Sequence, residues 1–225
     1  MASERKRVKR DDRIEEVLAA ARQLLETQGL VGTSVAEVAS LAKVSEATVF
    51  SYFGTRRDLM FRVISDWMEP VIARLEIDVK LVEGTLNRLN FFATRHLYEL
   101  AAAPGLHQLI YRELHWDSYY GSLLHKLNQR YARVITWIIE QGKRDGEVKP
   151  DTDQEITRDM MFGTLHHVGW RTFMNNRPLD IGATAETIAK LVYGGIAIQE
   201  ARSDQADRLE AAIAKLVSIT DHLER

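Results

Sequence analysis

The most constraining feature of this sequence is a crowding of helix starts between residues 33 and 59, which is too close for a bundle of long helices. Ser34 is followed three residues later by a glutamate, a capping-box pattern that opens a short helix over residues 35–41. After a three-residue turn, Ser45 caps a second short helix over residues 46–52. Two short helices joined in this way predict a helix-turn-helix.

The rest of the chain has helical rather than alternating hydrophobic periodicity, with only four prolines and thirteen glycines to interrupt it. A capping-box pattern at Asp12 predicts the start of the first helix, and Pro104 with Gly105 predicts a break between two later ones. Helices are predicted over residues 12–28, from about 55 to 75 with a bend at Pro70, 86–100, from the break at Pro104 and Gly105 to about 116, 123–141, 152–174, 184–200 and 204–223. The predicted fold class is all-α, with an N-terminal three-helix helix-turn-helix domain over residues 1–56 and a larger helical body over residues 57–225.

Charge is unevenly distributed along the chain, although lysine and arginine total 30 against 32 aspartate and glutamate. A basic run comes before the first predicted helix and consists of Arg5, Lys6, Arg7, Lys9 and Arg10. The run is either a flexible arm that follows a phosphate backbone, where each neutralised phosphate releases counterions, or a solvated tail. The sequence leaves both interpretations open.

Composition argues against several other classes of protein. No apolar stretch follows the basic run, as a secretory signal peptide would require, and no segment reaches the ~20 apolar residues that span a bilayer. The absence of cysteine excludes disulfides, thiolate metal sites and cysteine nucleophiles. It is compatible with a reducing cytoplasm, where we expect the protein to act. No metal, cofactor or membrane partner is expected.

The tip of the second short helix carries small and hydrogen-bonding residues, as a helix that enters the major groove requires. Hydroxyls, backbone N–H groups and a cation at the neighbouring helix starts suit phosphates on either side. The residues predicted to contact DNA are Thr33, Ser34, Lys43, Ser45, Glu46, Ala47, Thr48, Phe50, Ser51, Tyr52, Thr55 and Arg56. On spacing alone, these residues also fit the ordinary caps and turns of an unrelated helical protein.

Residues 33–39, 42–53 and 56–59 closely resemble the DNA-binding domain of the TetR family of repressors, with the runs TSVAEVA, AKVSEATVFSYF and RRDL in register. Lys43 and Ala47 stand where that family often has glycine, so Lys43 must accept the backbone conformation of its turn or reach a phosphate instead. The resemblance implies a homodimer that binds double-stranded operator DNA. It also implies that the remaining helices form a ligand-binding and dimerisation domain, whose effector moves the fourth helix.

Aromatic and polar residues interrupt the apolar helices of the body, a composition that suits a small-molecule pocket and an ordinary core equally well. The residues predicted to line a pocket are Phe92, His96, Tyr111, His115, Trp116, Tyr119, Tyr131, Phe162, His166 and Trp170. Residues 111–115 and 161–165, with Trp170, also resemble the FadR branch of the family, which responds to fatty acyl-CoA; shared packing is the alternative origin of this likeness.

The resemblance implies a repressor that is released from its operator by a small apolar or amphipathic ligand, with a fatty acyl-CoA or another hydrophobic compound as the candidates. Four arginines either meet the anionic groups of such a CoA ligand or are simply solvated. They are Arg112, Arg130, Arg133 and Arg171.

Glycines within two late helices indicate close helix approach, because each costs roughly 1 kcal/mol of helix propensity relative to alanine. Across a two-fold axis these helices would form a four-helix bundle, and packing within one chain is the alternative. The predicted dimerisation residues are Gly163, Thr164, His167, Ile188, Leu191, Gly195 and Ile198. A dimer also follows from the DNA side, since one short helix reads few bases.

Two other functions compete with that of a regulator. An enzyme is disfavoured because the sequence has no phosphate-cradling glycine loop, no Gly-x-Ser-x-Gly elbow and no His-Glu-x-x-His pair. The adjacent His166 and His167 point about 100 degrees apart on a helix and do not face one metal or substrate. A helical adaptor that binds protein partners and keeps a degenerate DNA-binding head is the second alternative.

Overall fold

The computed structural model describes residues 2–29, 32–113, 120–175 and 178–198, and side chains within them except at 2–9, 111–113 and 173–175. In these ranges the chain forms nine α-helices and one 3₁₀-helix, and its extended pairing is limited to an isolated bridge between Val148 and Ala197. The α-helices are α1 (Ala2–Gln28), α2 (Val35–Leu41), α3 (Glu46–Phe53), α4 (Arg56–Asp78), α5 (Thr85–Ala102), α6 (Pro104–Glu113), α7 (Leu123–Arg144), α8 (Gln154–Asn175) and α9 (Ile181–Ile196); the 3₁₀-helix is Val79–Leu81. The predicted all-α class is confirmed.

The chain divides into two compact units. The first comprises Met1–Asp78 and Arg95–Arg133, and the second comprises Val79–Thr94 and Val134–Arg225. The first unit therefore holds the predicted helix-turn-helix together with α4 and α6. The functional boundary at residue 56 stays a prediction.

The start of α1 differs from the sequence prediction, since the helix begins at Ala2 rather than at Asp12. Residues 2–11 contain no glycine or proline, and seven of the ten are arginine, lysine, alanine or glutamate, which are good helix formers. Nothing in this stretch stops a helix, so the capping-box pattern at Asp12 lies inside one. The basic run is therefore part of α1 rather than an arm that precedes it.

The break predicted at Pro104 and Gly105 is present one residue earlier, at Ala103, and Pro104 itself begins α6. Proline is favoured at the first helical position because its missing N–H has no partner there in any helix. Gly105 is needed for packing, since a Cβ built on it would lie 2.2 Å from the carbonyl oxygen of Leu25 in α1. A sequence pattern that reads as a helix breaker thus marks the place where α6 touches the backbone of α1.

The last described helix, α9, begins and ends earlier than predicted. Asp180 caps it by accepting a hydrogen bond from the backbone N–H of Ala183 at 3.0 Å. Beyond Ile196 the backbone turns extended, because Ala197 pairs with Val148 and the N–H of Ile198 donates to the carbonyl of Glu147 at 3.1 Å. Ile198 is therefore outside the helix in which it was expected. The helix predicted over residues 204–223 lies outside the described residues, and the bend at Pro70, which lies within α4, stays a prediction.

Candidate nucleic-acid interface

Serine caps satisfy the first backbone N–H groups of α2 and α3. Ser34 Oγ accepts from the backbone N–H of Glu37 at 3.2 Å, and the Glu37 carboxylate accepts from the backbone N–H of Ser34 at 2.9 Å. The hydrogen bonds that the Glu37 carboxylate accepts from the backbone N–H and the hydroxyl of Ser34 hold the pKa of Glu37 below its ordinary value. Ser45 Oγ accepts from the backbone N–H of Thr48 at 3.1 Å. The predicted capping box is confirmed, and both short helices begin at the predicted residues.

The turn between α2 and α3 has a left-handed backbone at Lys43, with φ of 55°. Elsewhere in the described chain, positive φ occurs only at glycines. The turn is closed by backbone bonds from Lys43 N–H to the Ser40 carbonyl at 3.2 Å and from Val44 N–H to the Ala39 carbonyl at 2.9 Å. Lys43 is exposed, so it presents a cation beside the N-terminus of α3.

The outer face of α3 is solvent-exposed along its whole length. Val49 is 1% exposed and anchors the helix on the core of the first unit, whereas Phe50 on the outside is 45% exposed. The exposed residues of this helix and its cap are Ser45, Glu46, Ala47, Phe50 and Ser51, and Thr48 and Tyr52 are half-buried. The tip that was predicted to enter a groove projects outward.

Two of the hydroxyls predicted to reach DNA are oriented by each other. Ser45 Oγ and Thr48 Oγ1 lie 2.8 Å apart. Ser51 Oγ donates to the carbonyl of Thr48 at 2.8 Å, which fixes the next turn of the same face. The tip of α3 is therefore a pre-ordered set of polar groups rather than a set of freely rotating side chains.

Thr33 and Arg56 occupy different positions from those expected of phosphate ligands. Thr33 is 1% exposed, and its hydroxyl donates to the Gly29 carbonyl at 2.8 Å. The Arg56 guanidinium donates to the Thr33 carbonyl from Nε at 3.2 Å and from Nη2 at 2.8 Å. The buried Thr33 hydroxyl is unavailable to DNA, because the pair ties the start of α4 to the segment before α2. Sequence spacing gave no sign of this long-range contact.

The exposed caps that flank α3 donate their hydroxyl protons to carboxylates, so a phosphate contact would require each hydroxyl to turn from its own helix to the DNA. Thr55 Oγ1 accepts from the backbone N–H of Asp58 at 3.1 Å and donates to its carboxylate at 2.6 Å, which caps α4. Ser34 and Thr55 are both exposed. With Lys43, they place one cation and two hydroxyls around the tip of α3.

Sequence reasoning missed a contact between α1 and α3. The guanidinium carbon of Arg10 lies 5.7 Å from the ring centre of Tyr52, within the range of a cation–π interaction. The Tyr52 ring in turn meets Phe53 edge to face, with centroids 6.4 Å apart. The charge of the basic run was visible in the sequence, but its position beside α3 was not.

A buried aromatic and histidine cluster lies in the first unit, where Trp67, His96, His107 and Tyr131 come from α4, α5, α6 and α7. His96 Nδ1 is 2.9 Å from Tyr131 Oη, and the His107 ring stacks edge to face on Trp67 at 5.2 Å and on His96 at 5.7 Å. Burial lowers the pKa of His107 to about 4, so its imidazole is neutral at physiological pH. His96 and Tyr131 were predicted pocket residues, and Trp67 and His107 were not.

The other predicted pocket residues fall into different environments. In the second unit, Phe92 is buried and meets Phe162 edge to face at 5.6 Å, and His166 is half-buried. Trp170 is 57% exposed, so within a single chain it lines no pocket. The side chain of Tyr111, and the whole of His115, Trp116 and Tyr119, lie outside what the structure describes.

Arg130 binds two carboxylates of α4 from its place on α7. Its Nε and Nη2 donate to the two oxygens of Glu76 at 2.8 and 2.6 Å, and Nη1 contacts Glu69 at 2.5 Å. The hydrogen bonds that Arg130 donates to Glu76, the largest cause, raise the pKa of Arg130 above its ordinary value. This bidentate pairing gives Arg130 an internal role, which contradicts the suggestion that it meets CoA or is simply solvated.

An exposed stripe runs along α8 and α9 in the second unit. Its apolar and small members, together with two polar ones, are Ile156, Met160, Gly163, Thr164, His167, Trp170, Leu191, Gly194 and Gly195. A Cβ built on Gly163, Gly194 or Gly195 meets nothing within 4 Å, so these glycines are not required by packing inside the chain. Ile188 is 4% exposed, so it faces the interior instead of this stripe.

Metal sites and membrane spans are both absent from the described residues. Within the described ranges, no group of three or more histidine, cysteine, aspartate or glutamate side chains is arranged to hold a metal ion. Each helix in the same ranges is too short or too polar to cross a lipid bilayer.

Comparison with known proteins gives two adjacent family matches. Residues 17–63 match the model of bacterial regulatory proteins of the tetR family, and residues 64–195 match the C-terminal region of YsiA-like proteins. The fatty acid metabolism regulator protein of Bacillus subtilis (strain 168) is 25% identical over 184 residues, which cover 80% of this chain and 94% of that protein.

Two solved structures share the fold. The transcriptional regulator FadR from Bacillus subtilis, in complex with stearoyl-CoA, has a TM-score of 0.68 and 24% identity, over 81% of this chain and 98% of that one. A chain from Saccharomonospora viridis, in complex with choline, has a TM-score of 0.70 and 15% identity, over 84% of this chain and 99% of that one.

The two family models together span the helix-turn-helix and most of the helical body, and the second alone matches more than half of the chain. Regulators of this family bind operator DNA as dimers and respond to small-molecule effectors, and these are the partners of this chain. The chain belongs to the TetR family of bacterial regulatory proteins and is a DNA-binding transcriptional regulator, not an enzyme.

Proposed function

We propose that this protein is a repressor that places α3 in the major groove of its operator and leaves the DNA when an effector binds the helical body. The observation that carries the proposal is the outward face of α3, which is exposed and polar while Val49 on the opposite side is 1% exposed. A protein that reads chromosomal operators acts in the bacterial cytoplasm. Residues 1–56 would form the DNA-binding domain, and residues 57–225 would serve the effector and the dimer.

The residues of the α3 tip have complementary roles in base reading. The Glu46 carboxylate is suited to accept a hydrogen bond from the exocyclic amine of cytosine, and Ala47 and Phe50 are suited to contact the methyl group of thymine. Lys43, Ser34 and Thr55 would contact phosphates, which position the helix but carry no sequence information. The half-buried Thr48 and Tyr52 would reach the DNA only at the edge of the interface.

The DNA proposal is tested by gel shift with the intergenic duplex upstream of the protein's own gene and with a scrambled duplex of equal length. We expect the native chain to retard the first preferentially. Glu46→Gln should weaken that binding about 5- to 100-fold, since one specific base contact contributes about 1–3 kcal/mol. The matched control is Glu83→Gln, an exposed glutamate of the second unit. An adaptor with a degenerate head predicts no retarded band even at low salt, and that result would overturn the proposal.

We place the effector site at the cluster of Trp67, His96, His107 and Tyr131. Aromatic walls with a few polar groups bind amphipathic ligands well. One wall is contributed by α4, which follows the helix-turn-helix directly, so a ligand that displaces Trp67 would act on the helix that carries the DNA-reading head. Phe92 and Phe162 are predicted pocket residues in the second unit and stay candidates.

A fatty acyl-CoA is the effector that we propose. The support is the Bacillus subtilis regulator, which shares 25% identity with this chain, and the related FadR structure that holds stearoyl-CoA. The Saccharomonospora viridis structure, at 15% identity, holds choline, so proteins of this fold also bind other ligands. Stearoyl-CoA, stearate, free CoA and choline should therefore be compared as four separate probes.

The effector proposal is tested by titrating the protein–DNA complex with each probe. We expect stearoyl-CoA to release the DNA, and stearate and free CoA to release it at least tenfold less effectively. Tyr131→Phe should raise the stearoyl-CoA concentration needed for release, because it removes the hydroxyl that lies against His96. Release by choline alone, or by none of the four, would contradict an acyl-CoA effector without affecting the DNA proposal.

We propose that the exposed stripe on α8 and α9 is the dimer interface. Its unobstructed glycines would let the two copies of these helices approach closely, as small residues do at helix crossings. The stripe supports Gly163, Thr164, His167, Leu191 and Gly195 as interface residues. Ile188, which is buried, and Ile198, which follows the helix, are left out of this proposal.

A further inference from the structure

The first turns of α1 form a basic helical extension that the family match does not include. The helix runs without a break from Ala2 to Gln28, and the matched region begins at residue 17. At 1.5 Å per residue, the part before residue 17 is about 20 Å long. Residues 5–10 contain five basic residues and no acidic one.

The position of this extension is fixed by Arg10, which lies on α1 and stacks on Tyr52. Tyr52 belongs to the last turns of α3, the helix that we propose enters the groove. The Arg10 side chain is exposed on its other sides. The basic extension of α1 therefore starts beside α3 and within reach of the same duplex.

The concentration of charge also points to a polyanionic partner. Like charges spaced three and four residues apart in a helix repel each other, at a cost of a few tenths of a kcal/mol for each pair. The basic run contains four such pairs, and the flanking Glu4, Asp11 and Asp12 offset them in part. The stretch from residue 4 to residue 12 has five basic and three acidic residues, so a net positive charge remains. A row of phosphates would relieve this repulsion and release counterions from the DNA.

We propose that residues 2–10 of α1 are a second DNA-binding element, which contacts the phosphate backbone beside the bases that α3 reads. The proposal rests on the proposed function of α3 as the groove-binding helix. The ligand is the phosphodiester backbone of duplex DNA, so the contribution is independent of base sequence. The extension raises affinity for operator and non-operator duplexes by the same factor and leaves the ratio between them unchanged.

The test compares two quadruple variants of the full-length protein. The first changes Arg5, Lys6, Arg7 and Lys9 to glutamine, which has a helix propensity close to theirs. The control removes the same charge from four exposed residues elsewhere, Lys80, Lys126, Arg133 and Arg144, also by change to glutamine. Circular dichroism confirms that both variants keep their helix content. Binding to the upstream duplex and to a random 30-base-pair duplex is followed by fluorescence anisotropy between about 50 and 200 mM salt.

We expect the first variant to bind both duplexes more weakly, by a similar factor of at least tenfold. The slope of log K against log salt should become shallower by about 0.9 for each phosphate that the variant no longer neutralises. The control variant should retain the slope of the native protein. A first variant with the slope and affinity of the control would overturn this inference, and so would a weakening confined to the upstream duplex.

A second pair of variants tests the position of the extension. Arg10→Gln removes the cation over Tyr52, and Arg10→Lys keeps a charge without the planar group that stacks on the ring. If stacking orients the extension, Arg10→Lys should make the salt slope shallower than that of the native protein although the charge is kept. A lysine variant with the native slope would contradict this role of the stack.

Different results would count against α3 as the reading helix and against the basic extension of α1. A native protein that does not distinguish the upstream duplex from the random one at any salt concentration would count against α3 as a reading helix. A native protein that distinguishes them, with a first variant that binds as the control does, would count against the extension alone. Binding of the extension to anionic phosphatidylglycerol vesicles, with no effect of the variants on DNA binding, would assign it to a membrane surface and overturn the inference.

Discussion

Lys43 combines an exposed charge beside α3 with a backbone conformation that lysine adopts at a cost. A left-handed conformation costs a residue with a Cβ about 1 kcal/mol relative to glycine. We expect Lys43→Gly to raise the free energy of unfolding by up to about 1 kcal/mol, after allowance for the greater freedom of glycine in the unfolded chain. The same change should weaken DNA binding, because it removes a cation beside α3. Urea unfolding and gel shift measure the two effects.

Lys43→Ala separates strain from charge, because it removes the ammonium group and keeps the Cβ. This variant should lose DNA affinity as the glycine variant does, with little gain in stability. If Lys43→Gly is no more stable than Lys43→Ala, the left-handed backbone at residue 43 does not lower the stability of the native protein. If neither variant binds DNA more weakly, Lys43 makes no phosphate contact.

Because the ring of His107 is buried and neutral, the free energy of unfolding should depend on pH. Its pKa is about 4 in the folded protein and about 6.5 in the unfolded chain, so the unfolded state binds a proton first as pH falls. Stability should be greatest above pH 6.5 and should fall as pH drops from about 6.5 towards 4, by an amount on the order of 2–3 kcal/mol for this group.

His107→Phe is the measurement that isolates this residue, because phenylalanine keeps an aromatic ring against Trp67 and does not titrate. The difference in unfolding free energy between pH 7.5 and pH 5 should shrink in the variant. An equal difference in the native and variant proteins would assign the pH dependence to other groups.

At the scale of elements, the helices that periodicity predicted within the described residues are present, and the errors lie at their ends. Apolar spacing reports the buried face of a helix, so α2, α3, α7 and α8 were located within a few residues. Periodicity says nothing about where a polar helix begins, as at Ala2, or whether Pro104 starts a helix or ends one. These ends are decided by contacts with residues distant in the sequence, such as the approach of Gly105 to Leu25.

Gly105 gives the packing of α6 against α1 a direct test. Gly105→Ala would place a Cβ 2.2 Å from a backbone carbonyl oxygen, so the two helices must separate. We expect a loss of about 1–3 kcal/mol or more in unfolding free energy, measured by urea denaturation. Gly182→Ala is the matched control, since its nearest neighbour is 3.7 Å away and alanine is the better helix former. Equal stability of the two variants would contradict the close approach.

For the candidate site, as for the helices, the sequence predicted local features but not contacts between distant residues. The caps and outer face of α3 follow from local spacing, and Ser45, Glu46, Ala47 and Ser51 are exposed as expected. Thr33 is buried, and Arg56 is exposed but binds the Thr33 carbonyl, which lies 23 positions away in the sequence. Long-range hydrogen bonds of this kind have no signature in a single sequence.

At the scale of the whole molecule, the dimer is tested by a charge on the exposed stripe of α8 and α9. Leu191 is 70% exposed in the single chain, so Leu191→Glu should not disturb folding of a monomer. At an interface between two copies, the buried carboxylate would be strongly unfavourable. We expect a monomer in sedimentation experiments and much weaker operator binding, since two heads are needed for full affinity.

Leu81→Glu is the matched control for this prediction, because Leu81 is 79% exposed in the 3₁₀-helix and outside the stripe. The control should remain a dimer. If the Leu191→Glu protein is still a dimer, the stripe on α8 and α9 is not the interface. If both variants dissociate, the effect of the charge is not specific to the stripe.

The ion pairs of Arg130 with Glu69 and Glu76 determine which part of α4 is held against α7. These two carboxylates are about two helical turns apart, so they clamp the second half of α4 against α7. The remainder of α4, from Arg56 to the Arg130 contacts, is about 20 Å long, and it moves with the helix-turn-helix because Leu59 and Val63 are buried in the same core and Arg56 binds the Thr33 carbonyl. A tilt of about 10 degrees at the clamp moves its far end by about 3 Å, close to the 3.4 Å rise between base pairs. Since we propose that α3 reads base edges, we expect a rotation this small to take it out of register with them.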